Sequence, residues 1–289
     1  MIRRASNTRS ARSGGGGRLI IALAIAAFAL FSFLASREYN PVTGKKQYIG
    51  LTKEQEIQIG QQAVPQMLQE MGPPLNDEEV QSYVQQVGNE LVQDSIAADT
   101  EWVWDFHVID NPDLVNAFAL PGGQVFITTA LLSRLETEEQ LAGVLGHEIV
   151  HVLARHGAEQ MAKQQLTQGL LQAVAVASSP QAAQSAALFA QLINMSYGRE
   201  DETESDMIGI EIMACADYDP EAMAEVMQIL AEASGGSPQP EFFSTHPNPE
   251  NRIERIHARI NELESDGQIT RDELRCQGSV DFDSVAPEG

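Results

Sequence analysis

Residues His147 to His151 read HEIVH. In a helix, side chains four residues apart lie on one face, about one turn apart, so both imidazoles can reach one metal ion. Glu148 is rotated off that line but not to the far side. There a carboxylate can take a proton from water and later hand it to a leaving amine. Zinc binds neutral imidazole nitrogen and brings the pKa of a bound water down to roughly 7. A catalytic zinc site needs a third protein ligand and one open position. The stretch Arg199 to Asp206, REDETESD, offers one. Glu202 and Asp206 share a helix face, so Glu202 can ligate while Asp206 accepts a hydrogen bond from a ligand histidine and holds its ring. By composition alone Glu200 or Glu204 serves equally, and the stretch also reads as a solvated acidic helix start.

The elements that must position these groups follow from local pattern. A helix is expected from about Glu136 to His156, capped by Thr137 with Gln140 completing the box. Before it, Thr52–Met71 and Asn76–Asp94 read as helices parted by Gly72-Pro73-Pro74, with capping boxes at Thr52/Gln55 and Asn76/Glu79. Trp102 to Ile109 alternates like a strand, and its His107 is expected to be structural. Asn116–Leu120 and Gln124–Thr129 flank Pro121-Gly122-Gly123 as a hairpin. Ala158–Asn194, rich in Ala, Gln and Leu, reads as two packed helices broken at Ser178-Ser179-Pro180, too polar for a membrane span; a lid or a surface resting on a bilayer is the competing reading. Tyr197–Ala216, a helix from Asp219-Pro220 to Ala233, and a last one opened by Asn248-Pro249 with the stripe Ile253, Ile256, Ile260 and Leu263 complete a mostly helical α+β class. Ser234–Pro240 reads as a loop, and Arg155 and His156 as structural.

Charge divides the chain of 289 residues. Arg3, Arg4, Arg9, Arg12 and Arg18 precede any acid, whereas from residue 37 on 13 basic residues face 41 acidic ones. A body this acidic repels phosphate and is no nucleic-acid binder. Leu19 to Ser36 is apolar or small throughout. Eighteen helical residues span about 27 Å, enough for a bilayer core. Positive charge ahead of it places the N-terminus in the cytoplasm and the body outside. An uncleaved single anchor is expected over a cleaved signal, because FSFLAS fits a small-residue cleavage site poorly. Residues 1–18 are a basic N-terminus, 37–265 the folded body, and 266–289 an acidic tail. Cys215 and Cys276 are expected to be free, one in a helix and one in the tail.

Four stretches together carry a family resemblance: NAFALPGGQVFITTALL (Asn116–Leu132), HEIVHVLARH (His147–His156), YGREDETESD (Tyr197–Asp206) and STHPNPENRI (Ser244–Ile253). The chain resembles the gluzincin membrane metallopeptidases that include the HtpX heat-shock protease, the CAAX prenyl proteases and the BepA-type periplasmic proteases. With one apolar segment and no internal repeat it is most like the BepA-type branch. It is expected to lack a C-terminal repeat domain, and it has Ser205 where alanine is usual. The resemblance implies a zincin-type fold, one zinc ion per chain, peptide-bond hydrolysis, and Glu202 as the third ligand beside His147 and His151, with Asp206 behind them. It also marks His246, which in relatives either sits near the developing oxyanion or swings onto the zinc as a blocking fourth ligand, and Arg252 as its partner in charge stabilisation. Glu148 is the base. An extended substrate is expected to pair with the strand Gln124, Val125, Phe126, Ile127, Thr128 or its hairpin partner at a sheet edge. The expected function is a zinc endopeptidase cleaving unfolded or misassembled proteins on the extracytoplasmic side of a bacterial membrane. The alternative is a chaperone-like assembly factor with a latched or structural zinc.

Overall fold

The run from Leu141 to Leu153 is apolar on almost every side, and such a helix is stable only when surrounded. The computed structural model describes residues 15–177, 197–233, 242, 246 and 251–265. The N-terminal helix α1 (Gly15–Ala35) leads into a short hairpin, β1 (Arg37–Tyr39) with β2 (Lys46–Tyr48). Helices α2 (Lys53–Met71) and α3 (Glu78–Gln93) follow, then β3 (Asp105–Ile109), β4 (Ala117–Leu120), β5 (Gln124–Thr128) and a single turn α4 (Thr129–Leu132). Next come α5 (Glu138–Leu153), α6 (His156–Ala177), α7 (Arg199–Cys215), α8 (Ala222–Ala233) and α9 (Arg252–Ser265). The architecture is mostly helical with two small sheets. The second helix of the Ala158–Asn194 segment, the loop 234–240, the helix opening at 248–249 and the acidic tail lie outside the described residues.

Helix α5 is the axis. Gln140 through Leu153 are all buried, between the sheet on one side and α3, α7 and α8 on the others. Two glycines set its approach to α7. A Cβ on Gly146 would sit 3.5 Å from the Gly209 carbonyl, and one on Gly209 would sit 3.4 Å from the His147 amide. Backbone therefore meets backbone at His147, and the acids one to two turns along α7 are carried onto the imidazoles. Thr137 caps α5 by accepting from the Gln140 amide, but the Gln140 side chain accepts from Glu136 and donates to Glu225 instead of closing a box. The cap of α3 is Asp77, whose Oδ1 accepts from Glu79 and Val80, one residue later than the expected Asn76.

The metal helix also ends earlier than its pattern suggests. It stops at Leu153, and Arg155 adopts φ 57°, uncommon without glycine. Two side chains of the β1–β2 hairpin take the carbonyls a continuing helix would use: Asn40 donates to Leu153 O (3.0 Å) and Gln47 to Ala154 O (2.7 Å). The Arg155 guanidinium meanwhile bonds the buried Glu56 at 2.8 and 2.5 Å, and Leu51 O.

The sheet corrects one expectation. Its order is β3-β5-β4, with β5 parallel to β3 and antiparallel to β4. Gln124, Val125, Phe126, Ile127 and Thr128 thus form the central strand, buried at every position, and offer no edge. Both main-chain sides are already paired. The hairpin partner β4 is an edge among the described residues. His107 is structural as expected: its ring stacks on Phe126 and its Nε2 lies 3.1 Å from Gln124 Oε1. Cys215 is disulfide-bonded, against the expectation of a free thiol, and no described cysteine is free.

Helix α2 braces the turn after β4, where a Cβ on Gly60 would fall 2.0 Å from the Pro121 carbonyl oxygen. Backbone cannot yield as a flexible side chain would. Gly60→Ala should therefore lower stability by about 1–3 kcal/mol. An exposed helical glycine would instead give a gain of about 1 kcal/mol. Urea unfolding of the two proteins decides, and an unchanged or raised midpoint would show that α2 does not seat there.

Candidate metal centre

The close α5–α7 crossing delivers the expected residues to one place. His147 Nε2 and His151 Nε2 lie 3.1 Å apart. Glu202 Oε2 is 3.4 Å from the former and Glu202 Oε1 3.5 Å from the latter. His246 joins them: its Nδ1 is 3.0 Å from Glu202 Oε1 and 3.4 Å from His147 Nε2. One donor atom from each of these four residues lies within 4.8 Å of the others. All four are buried, as is Glu148, whose Oε1 is 3.6 Å from His246 Nε2. Phe242 stacks on His246 and Tyr197 on His151, at 4.4 and 4.2 Å between ring centroids.

Each ligating ring is held from behind. Asp206 Oδ1 lies 3.0 Å from His147 Nδ1. A carboxylate only accepts, so Nδ1 carries a proton and Nε2 is the nitrogen turned to the cluster, able to ligate once its own proton leaves. Arg252 grips Asp206 through Nε (2.5 Å) and NH2 (2.7 Å). Its guanidinium is thus anchored behind His147 by two nitrogens, while its third, NH1, lies 3.5 Å from Glu202 Oε2 at the cluster. His151 has a support the sequence reading did not assign. Its Nδ1 lies 2.9 Å from His156 Nδ1, and His156 Nε2 lies 3.0 Å from Glu204 Oε2. With Glu204 accepting from Nε2–H, His156 Nδ1 accepts from His151, and His151 Nε2 is left free to ligate. Lys45 closes the chain on Glu204 Oε1 at 2.6 Å. The signal was present in REDETESD: acids at 202, 204 and 206, of which Glu202 enters the cluster while Asp206 and Glu204 each reach a histidine. Glu200 and Asp201 take no place in the cluster.

The electrostatics follow. Burial alone would lower the His147 imidazole, but the Asp206 and Glu202 carboxylates outweigh it and raise it to about 9. Burial and the neighbouring His147 push His151 well below the usual range. Burial opposes ionisation of Glu202, yet His246 and His147 hold it well below the ordinary carboxylate range. Burial raises Glu148, which suits a base that must also release its proton.

The donor set fits zinc. Both oxygens of Glu148, Glu202 Oε2 and His246 Nε2 are sealed from solvent with no hydrogen-bond partner among the described residues. Unpaired buried carboxylate oxygens cost several kcal/mol unless a cation or water meets them. Two imidazole lone pairs with one carboxylate, closed in by protein, are the ligands a borderline-soft divalent ion prefers.

A model described as peptidase family M48 matches residues 78–260. The chain is 34% identical over 244 residues to the beta-barrel assembly-enhancing protease of Escherichia coli, covering 80% of this chain and 49% of that protein. It is 29% identical over 242 residues to the mitochondrial metalloendopeptidase OMA1 of Schizosaccharomyces pombe, covering 83% and 70%. To the OMA1 metalloendopeptidase of Bos taurus it is 34% identical over 248 residues, covering 79% and 47%. The chain thus spans about half the length of the bacterial and bovine relatives.

Two outcomes are expected. Removing the support of His151 by His156→Ala, or weakening it by Glu204→Gln, should lower zinc affinity about 10–100-fold in chelator competition, with the smaller loss for Glu204→Gln. Unchanged affinity in both would show the relay idle. Zinc binding should also displace the ligand proton of His147, since His151 is already neutral and Glu202 already ionised, beside any proton that Glu148 releases. Apparent affinity then rises about tenfold per pH unit below about 9. The sign for the zinc-free fold is opposite. The raised His147 value adds stability that is full below its unfolded value of about 6.5 and is lost as pH rises through about 9. Calorimetry in buffers of differing ionisation enthalpy counts the protons, and a count of zero at neutral pH would overturn this assignment.

Proposed function

This chain belongs to peptidase family M48, and we propose that it is a zinc-dependent endopeptidase of residues 37–265 acting on unfolded or misassembled polypeptides outside a bacterial inner membrane. One observation carries the hydrolase reading: two histidines of α5 and Glu202 of α7 present their donor atoms to one point beside the buried carboxylate of Glu148. His147, His151 and Glu202 would hold the metal. Zinc bound there would lower the pKa of water toward about 7 and polarise the scissile carbonyl.

The chain's own groups do the rest. Glu148 takes the proton of the attacking water and passes it to the departing nitrogen, a double duty that its raised affinity for protons supports. Asp206 keeps His147 in the ligating tautomer, and Arg252 keeps Asp206 ionised and in place. The substrate backbone adds to the outer edge of β4, whose Leu120 lines, with Pro121, Tyr197 and His151, a small cavity beside the cluster. Main-chain pairing makes little demand on side chains, which suits unfolded substrates. The names of the relatives, an assembly-enhancing protease and two metalloendopeptidases, support quality control as the setting.

Placement rests on α1 as an uncleaved single span over Leu19–Ser36. It is long and apolar enough to cross a bilayer and is almost unburied within the protein. The arginines before it favour a cytoplasmic N-terminus with the peptidase on the far side.

A second reading has its own observation. His246 Nδ1 points at Glu202 and His147 from within the donor cluster. That supports His246 as a fourth ligand that latches the site, more than as an oxyanion donor. A permanently latched centre would make the protein an assembly factor with a structural ion.

Glu148→Gln should retain zinc and lose cleavage of unfolded casein by at least about a hundredfold. Undiminished cleavage would end the hydrolase proposal. His246→Ala separates the two roles of that residue: proteolysis rises if it latches the metal and falls if it serves the oxyanion. No turnover by either the wild type or His246→Ala, with zinc bound, would favour the assembly factor.

A further inference from the structure

Helix α1 does not stand alone beside the body. Helix α6 runs antiparallel along it. At one end Gln165 lies near Gly50, which the β1–β2 hairpin returns to the C-terminal end of α1, where Ile49 N donates to Ser36 O at 2.8 Å. Midway, a Cβ on Gly169 would fall 2.5 Å from the Ala29 Cβ, so the two backbones approach as closely as a glycine permits. At the other end Arg18, ahead of the apolar run, donates from Nε to Val176 O at 2.9 Å. Small residues at such a crossing are the way helices pack within lipid.

The composition of α6 changes along this overlap. Lys163 is its last charged residue, and the fourteen residues from Gln164 to Ala177 carry none. Fourteen helical residues rise about 21 Å, most of a hydrocarbon core. Leu170 and Val174, four apart, leave 42% and 37% of their surface outside the protein. The glutamines lie along another stripe. Gln165, Gln168 and Gln172 line a groove of about 760 Å³ between the two helices, opposite Ser32 and Ser36 of α1. Ala162 and Ala173 are buried and Gly169 meets Ala29, while the three glutamines stay exposed along the groove.

We propose that the Gln164–Ala177 part of α6 lies in the bilayer beside α1, so that two packed helices, not one, hold the protein in the membrane. The partner of the Leu170–Val174 face is lipid hydrocarbon. The inference rests on α1 being an uncleaved span. It accounts for the close pairing of this uncharged segment with α1, from Arg18 at Val176 to Ala29 at Gly169. It also fixes the depth of the chemistry. His156 begins α6 and touches ligand His151, and only about eight residues, roughly 12 Å, separate it from the lipid boundary. The cluster is therefore held at the membrane surface, where it meets polypeptide emerging from the bilayer.

The full chain in nanodiscs tests this with single cysteines carrying an environment-sensitive fluorophore. Cys215, being disulfide-bonded, takes no label. Probes go to Leu170→Cys, to Phe28→Cys on α1 and to Val103→Cys on the body, all exposed on the protein. Quenching by nitroxide-labelled acyl chains is compared with quenching by aqueous iodide. We expect positions 170 and 28 to be quenched severalfold more by the acyl nitroxide than by iodide, and position 103 the reverse. Position 28 in lipid with 170 in water would overturn the second helix while leaving the anchor intact. Both in water would remove the anchor reading and this inference with it.

Discussion

The closeness of α5 to α7 at Gly146 and Gly209 is the constraint on which the centre depends. A methyl group at Gly146 or Gly209 would already stand at contact distance from Gly209 O or His147 N, 3.5 and 3.4 Å, so a longer side chain would push the helices apart at the level of His147. The donor distances of about 3 Å around Glu202 leave no slack for that. The crossing also explains why so many ionisable groups tolerate burial. Asp206, Arg252 and His147 neutralise one another through hydrogen bonds at 2.5 to 3.0 Å. Breaking one member of such a set strands the others, which is why its ordering is tight.

From this crossing the supports spread in two directions. Behind His147 the line runs through Asp206 to Arg252 at the start of α9. Behind His151 it runs through His156 and Glu204 to Lys45 in the β1–β2 hairpin. That hairpin also supplies Asn40 and Gln47 to the end of α5, and Glu38 lies 3.0 Å from Arg155. The residues just after α1 thus brace the rear of the metal helix at several points. The sequence offers no motif for this, since each contact pairs residues about a hundred positions or more apart.

What was legible in the chain was what period and spacing encode. HEIVH on a helix, an acid pair four apart on a second helix, the hairpin around Pro121-Gly122-Gly123 and the apolar N-terminal run all depend on neighbours in sequence. The misses needed a third party. Which strand of a hairpin lies at an edge depends on where β3 pairs. The one local clue was that Val125, Phe126 and Ile127 form an unbroken apolar run, the pattern of a strand covered on both faces. Helix α5 ends at Leu153 because Asn40 and Gln47 arrive from far away. The tie of Arg252 to Asp206, forty-six residues earlier, left no trace in the motif from which Arg252 was read. Cys215 looked like a helix thiol because pairing across a fold has no local signature.

The charge balance of the centre argues for a resident cation as much as its geometry does. Glu148, Glu202 and Asp206 lie buried together, and among the described residues Arg252 is the one permanent positive charge beside them. His147 compensates by holding a proton up to about 9, so the metal-free fold borrows a proton where a divalent ion would sit. Glu148, by contrast, is pushed toward its protonated form by burial. A cation beside it reverses that push, because a nearby positive charge favours the carboxylate. The same ion that fills the cluster therefore readies the base. His246, sealed against Glu202 and Phe242, sits where it can compete for that ion or stand aside from it.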